Sequence, residues 1–194
     1  VRDGDHYVIN GQKTWTTLAQ HADWGFFLCR TDPTAKQQEG ISFILVDMKT
    51  PGVEVKPIKL LDGGYEVNET WLTDVRVPVV NLVGPEGSGF LQIMQQFQVE
   101  RAFIAVQCYA TAQRCLDLTL DWVKKRETFG RPLSTRQVVR HKIVDIATAV
   151  DVARTYTRAA VDRIVAGDTD VRMVSMAKNQ AVEACALAVD TAVQ

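Results

Sequence analysis

Hydrophobic and polar positions change rhythm once along this chain, near residue 84. Before it, apolar residues come in short runs bounded by turn residues. Trp24–Arg30 is rich in β-formers. The stretch ISFILVDM is short and apolar, and Val53–Ile58 and Thr70–Val77 follow between Pro51-Gly52, Gly63-Gly64 and Pro78. Such runs predict the strands of an antiparallel barrel or sandwich portion. Asn10-Gly11 stands between two further β-prone runs in HYVINGQKTWTT. That pair favours positive φ at both central turn positions and predicts a tight hairpin.

From Phe90 onward there is one proline, Pro132, and the rhythm is helical. Phe90–Lys125 is apolar nearly all round, which predicts a helix buried between others, with a break near Gln96–Val99. Gly130-Arg131-Pro132 ends it. Ser134-Thr135-Arg136-Gln137 reads as a capping box. The helix it opens carries Val139, Ile143, Ile146, Val150, Ala153, Ala160 and Ile164 at steps of three and four, interrupted by Thr157. Gly167 is its stop. A third helix begins near Asp170, lined by Val174, Ala177, Ala181, Ala184, Cys185 and Ala188. Three long antiparallel helices make most of a four-helix bundle. The expected class is therefore α+β: residues 1–83 as part of a β domain, and 84–194 as an incomplete helical bundle. The chain opens on Val1 almost at a strand, and Ala188–Gln194 lacks a stop signal. Both ends read as cut.

Composition narrows the function classes. Hydrophobic residues make up 46% and charged residues 23%, which fits a globular domain and not a disordered one. The 22 basic and 23 acidic residues leave a formal net charge of −1, so no field of one sign points to nucleic acid or an anionic membrane. No apolar run reaches the length of a membrane span. Cys29, Cys108, Cys115 and Cys185 form no C-x-x-C pair and the three histidines are scattered, so no metal site is expected. The cysteines read as small buried hydrophobes in a reducing compartment.

Three stretches carry a resemblance: INGQKTWTT, VERAFIA and KKRETFGRPLSTRQ. In this order the chain resembles the acyl-CoA dehydrogenase family, from the second half of its middle β domain through most of its C-terminal helical domain. The resemblance implies FAD as cofactor and an acyl-CoA thioester as substrate. It implies loss of a proton from the α-carbon to a glutamate and of a hydride from the β-carbon to flavin N5, giving a 2-enoyl-CoA. It further implies an electron-transferring flavoprotein as electron acceptor, a homodimer or homotetramer, and a cytoplasmic setting (the mitochondrial matrix in a eukaryote). The chain alone, lacking the upstream flavin loop, is expected to be inactive. Two other readings stand beside this one: an acyl-CoA oxidase or flavin monooxygenase on the same scaffold, and a non-catalytic helical scaffold.

Residue by residue, the match implies the following roles. Trp15 and Thr17 line the flavin, an indole and a hydroxyl two positions apart on one strand face; Thr16 between them replaces the family's usual Ile or Ser. Glu100 is the base, in a Glu-Arg pair with Arg101 that resembles the isovaleryl and long-chain branch. Another branch takes its base from a segment beyond Gln194. The apolar neighbours Phe97, Val99, Ala102, Phe103 and Ile104 predict a partly desolvated carboxylate. Gln98 and Val99, with Arg101, approach the acyl-CoA. Arg126 reaches the diphosphate of a flavin held by a neighbouring subunit, with Thr128 adding a hydroxyl, and Phe129 plugs the same junction. Gln137 touches the adenosine part of that flavin. Each has an ordinary structural reading too: a core Trp, a Glu at a helix start, an Arg at a helix C-terminus, a Gln in a capping box. The stretch GPEGSGF at Gly84–Phe90 lacks the Lys-Ser/Thr of a phosphate loop and reads as a turn between the two parts.

Overall fold

The computed structural model describes all residues, Val1–Gln194, in two compact units, Val1–Met94 and Gln95–Gln194. The first unit is built from antiparallel strands. One sheet has the order β1-β2-β6-β5, with β1 at Arg2–Asp3, β2 at His6–Thr17, β5 at Val53–Ile58 and β6 at Val67–Pro78. The other has the order β3-β4-β7, with β3 at Trp24–Arg30, β4 at Ile41–Asp47 and β7 at Leu82–Val83. Alternation sends Tyr7, Ile9, Leu72, Val75 and Val77 from the first sheet and Phe27, Ile44 and Val46 from the second into one buried core. The sheets are open and face each other; they do not close into a barrel.

Asn10-Gly11 makes no hairpin. β2 runs straight through it, and the register against β6 slips between Ile9 and Gly11. The Asn10 side chain decides this. Its amide donates to Asp74 Oδ1 at 2.9 Å and its oxygen accepts the Asp74 amide at 2.8 Å. The unusual φ that Asn-Gly offers is used in a bulge (Gly11 at φ 150, Asp74 opposite at φ 50). A second slip lies between Lys13 and Thr16.

The helix α1, Gly89–Lys125, starts in the first unit and continues into the second without the break expected near Gln96. The GPEGSGF turn leads into it. Gly87 donates its amide to the Ser42 hydroxyl at 2.9 Å, and a Cβ on Gly89 would lie 2.6 Å from Phe43 N. Only a glycine lets this turn lie so close on β4.

α1 ends at Lys125, before Gly130. A short hairpin follows, β8 at Glu127–Thr128 and β9 at Arg131–Pro132, turning at Phe129-Gly130 with φ 52 and 69. Leu133–Thr135 is a single helical turn, and α2 spans Gln137–Val165. The capping box does not form. Arg136 is the N-cap and makes no side-chain cap bond, while Thr135 donates instead to the Pro132 carbonyl at 2.7 Å. Gln137 is thus the first helical residue, too early for the returning bond. α2 ends before Gly167 at φ 77, and α3, Val171–Val193, is capped by Asp170, which accepts the Met173 amide at 3.1 Å.

Three buried layers fix the helix directions. Ala112 and Leu116 of α1 meet Ile146 and Val150 of α2 and Ala188 of α3. Ala105 meets Ala153, Ala181 and Ala184, and Ala102 meets Ala160, Val174 and Ala177. Residue numbers rise along α2 as they fall along α1 and α3, so α2 runs antiparallel to both. Contrary to the all-round pattern of α1, only one stripe is covered; Leu91, Phe103 and Leu118 are exposed. The four cysteines are half-buried, not fully buried as expected.

Candidate active site

In the β unit the second bulge shapes the segment around Trp15. Trp15 has φ 66 and Leu18 φ 56, both rare for residues with a side chain. The strain is held by a buried polar network beneath. Asn68, fully buried, donates to the Thr16 carbonyl at 2.9 Å, and buried Thr70 donates to the Thr16 hydroxyl at 3.2 Å. Leu18 donates its amide to the Glu66 carbonyl at 2.7 Å. Thr16 is thereby fixed inward and its neighbours outward: the Trp15 side chain is 64% exposed and Thr17 is exposed. An indole left open on a strained, firmly supported backbone offers a flat apolar face to solvent. Asn68 and Thr70 were not legible as supports, because their partners lie 52 and 54 residues away.

A cavity of about 380 Å³ elsewhere in this unit is lined by Ile9, Lys13, Leu28, Cys29 and Arg30, and by neither Trp15 nor Thr17. Burial pushes the Cys29 thiol up, so it is a poor nucleophile there.

In the helical unit Gln98, Val99, Glu100 and Arg101 are consecutive on α1. Gln98 is buried, Val99 and Glu100 are exposed, and Arg101 is half-buried. The desolvated carboxylate expected here is not made by this chain. Glu100 instead stands in an open apolar row, with Phe97, Phe103 and Ile104 one turn away at 36%, 63% and 40% exposure. The Arg101 guanidinium lies 5.8 Å from the centroid of Phe97.

Arg126, Thr128 and Gln137 come together at the far end of α1. Leu133 donates its amide to the Arg126 carbonyl at 2.8 Å, tying the hairpin to the helix end. Arg126 and Gln137 are exposed and Thr128 half-buried. Phe129 at the tip is 98% exposed in a left-handed conformation. Arg136, not singled out beforehand, holds the tip. It donates to the Thr128 carbonyl and lies 5.9 Å from the Phe129 centroid. Glu100 and Arg126 are 26 helical positions apart, about 39 Å at 1.5 Å per residue. One chain therefore does not bring them to the same small molecule.

No helix is long and apolar enough to cross a membrane. Residues 1–75 match the acyl-CoA dehydrogenase middle domain and residues 87–194 the acyl-CoA dehydrogenase C-terminal domain. Among curated relatives, cyclohexane-1-carbonyl-CoA dehydrogenase of Geobacter metallireducens is 36% identical over all of this chain and 51% of its own length. The crystal structure of a probable acyl CoA dehydrogenase from Mycobacterium abscessus superposes with a TM-score of 0.92 at 51% identity, over 100% of this chain and 51% of that one. The acyl-CoA dehydrogenase of Geobacillus kaustophilus gives a TM-score of 0.94 at 35% identity, over 100% and 52%. The chain thus spans about half the length of the relatives it matches. By both of its domains, this chain belongs to the acyl-CoA dehydrogenase family.

Proposed function

We propose that this chain is the part of an FAD-dependent acyl-CoA dehydrogenase that supplies the catalytic base and both a near and a far contact to flavin. The observation that carries the reading is Glu100, a carboxylate standing in an open row of Phe97, Phe103 and Ile104. An acyl chain laid along that row would exclude water from the carboxylate and strengthen it as a base.

The residues present fit FAD. Trp15 offers an exposed ring and Thr17 a hydroxyl at the isoalloxazine, and the Arg126 side chain, which enters no ion pair with the protein, offers a fork of donors suited to a diphosphate. FAD, when bound, supplies the acceptor for the hydride that leaves the β-carbon. Glu100 takes the proton from the α-carbon, in the sense acyl-CoA to 2-enoyl-CoA. Gln98, Val99 and Arg101 border the acyl-CoA, with Arg101 braced against Phe97. Thr128 and Gln137 serve the diphosphate and adenosine parts of a flavin held by a neighbouring subunit. Such sharing requires at least a dimer, and the reduced flavin passes its electrons to an electron-transferring flavoprotein.

The test is the visible spectrum of the full gene product, recorded anaerobically with acyl-CoA esters of several lengths. The expected wild type is yellow and bleaches. Glu100→Gln stays yellow and bleaches about 10²- to 10⁴-fold more slowly, the usual worth of a positioned base. A variant that bleaches at the wild-type rate would remove Glu100 from the chemistry, and a colourless wild type would remove the flavin.

A further inference from the structure

Resting on the reading that Arg126 and Thr128 meet the diphosphate of FAD, we infer that Arg131 is a second guanidinium for the same diphosphate. The register of the hairpin carries this. Thr128 pairs with Arg131, and Glu127 with Pro132. The next rung is the amide of Leu133 on the carbonyl of Arg126. Directly opposed residues of an antiparallel pair put their side chains on one face, and successive rungs alternate faces. Arg126, Thr128 and Arg131 therefore share one face, and Glu127 takes the other. The only carboxylate of the hairpin is turned away from the two arginines.

The arginines of this region divide into two kinds. Arg136 donates to the Thr128 carbonyl and Arg140 to the Ser134 carbonyl at 2.8 Å, so both are committed to the backbone. Arg126 and Arg131 are exposed, and neither side chain enters an ion pair. Two uncommitted guanidinium groups flanking a hydroxyl, on a ribbon locked by a two-residue turn and by Arg136, form a preorganised clip. Its two positive charges match the two negative charges of a diphosphate ester. Acyl-CoA also contains a diphosphate, so the shared chemistry has two possible sources. Gln137, at the adenosine part of flavin on the same reading, lies beside the clip and favours FAD.

The test titrates FAD into the apo form of the full gene product by flavin fluorescence, over a series of salt concentrations. Arg126→Ala, Arg131→Ala and Arg131→Lys are compared with wild type, and acyl-CoA binding to each holoenzyme is the second arm. Arg131→Ala is expected to weaken FAD about ten- to a hundredfold, the range of one charge-assisted contact. Its salt dependence should be shallower, Arg131→Lys should recover part of the loss, and acyl-CoA binding should be unchanged. Hydrogen exchange at the Leu133 amide should stay at the wild-type rate, since that bond reports the fold of the hairpin. If Arg126→Ala weakens FAD and Arg131→Ala does not, the inference fails and the flavin reading stands. If neither matters, the flavin reading of the hairpin fails too. Faster exchange at Leu133 in Arg131→Ala would make the role structural, and a loss confined to acyl-CoA would overturn the assignment to FAD.

Discussion

The Asp170 carboxylate accepts the Met173 amide at the start of α3 and meets Arg163 at 3.0 Å. The backbone bond, ahead of the charge of Arg163, holds its pKa below the ordinary carboxylate value of 3.8. A carboxyl group whose pKa falls on folding adds stability that is whole above its unfolded value and disappears as pH falls through the folded one. Thermal melts should therefore lose midpoint as pH falls below about 4, and Asp170→Asn, which keeps an acceptor without the charge, should flatten that slope. An equally steep slope in the variant would place the acid sensitivity elsewhere. Asp170 was legible in the sequence as a helix start, because its partner is three residues on. Asn10, Asn68 and Thr70 were not, since each acts on a strand 52 or more residues away. Glu100 was singled out by resemblance, and its open surroundings were not foreseen: what covers a residue is set by the packing of whole elements, which local pattern does not specify.

Among elements, the helices of the second unit approach each other through alanines: Ala105, Ala153, Ala181 and Ala184 make one layer. A layer of small side chains holds helices close and leaves no room to grow. Ala153→Leu is expected to destabilise the helical unit by about 1–3 kcal/mol, as overpacking does. Val152→Leu, one position along on the exposed side, should fall within about 0.5 kcal/mol of wild type. Urea unfolding followed by circular dichroism separates the two, and equal costs would mean that the layer is looser than its burial implies. The stripes of α2 and α3 were readable because steps of three and four survive any context. The path of β2 was misread at Asn10-Gly11, where the local signal for a turn is the same as for a bulge and only the partner strand decides. The Ser134–Gln137 cap was misread similarly, since α2 starts two residues later than that box requires, with Arg136 as its N-cap.

At the scale of the whole molecule, one continuous helix of 37 residues carries Glu100 toward its beginning and delivers Arg126 just past its end. On the proposed function, the base serves the flavin of its own chain and the arginine that of a neighbour. The two roles are then genetically separable. Coexpressing a Glu100→Gln chain with an Arg126→Ala chain should yield mixed dimers in which one site gathers both lesions and the other gathers none. Two inactive alleles would restore activity to each other, and separately purified, unmixed homodimers would not.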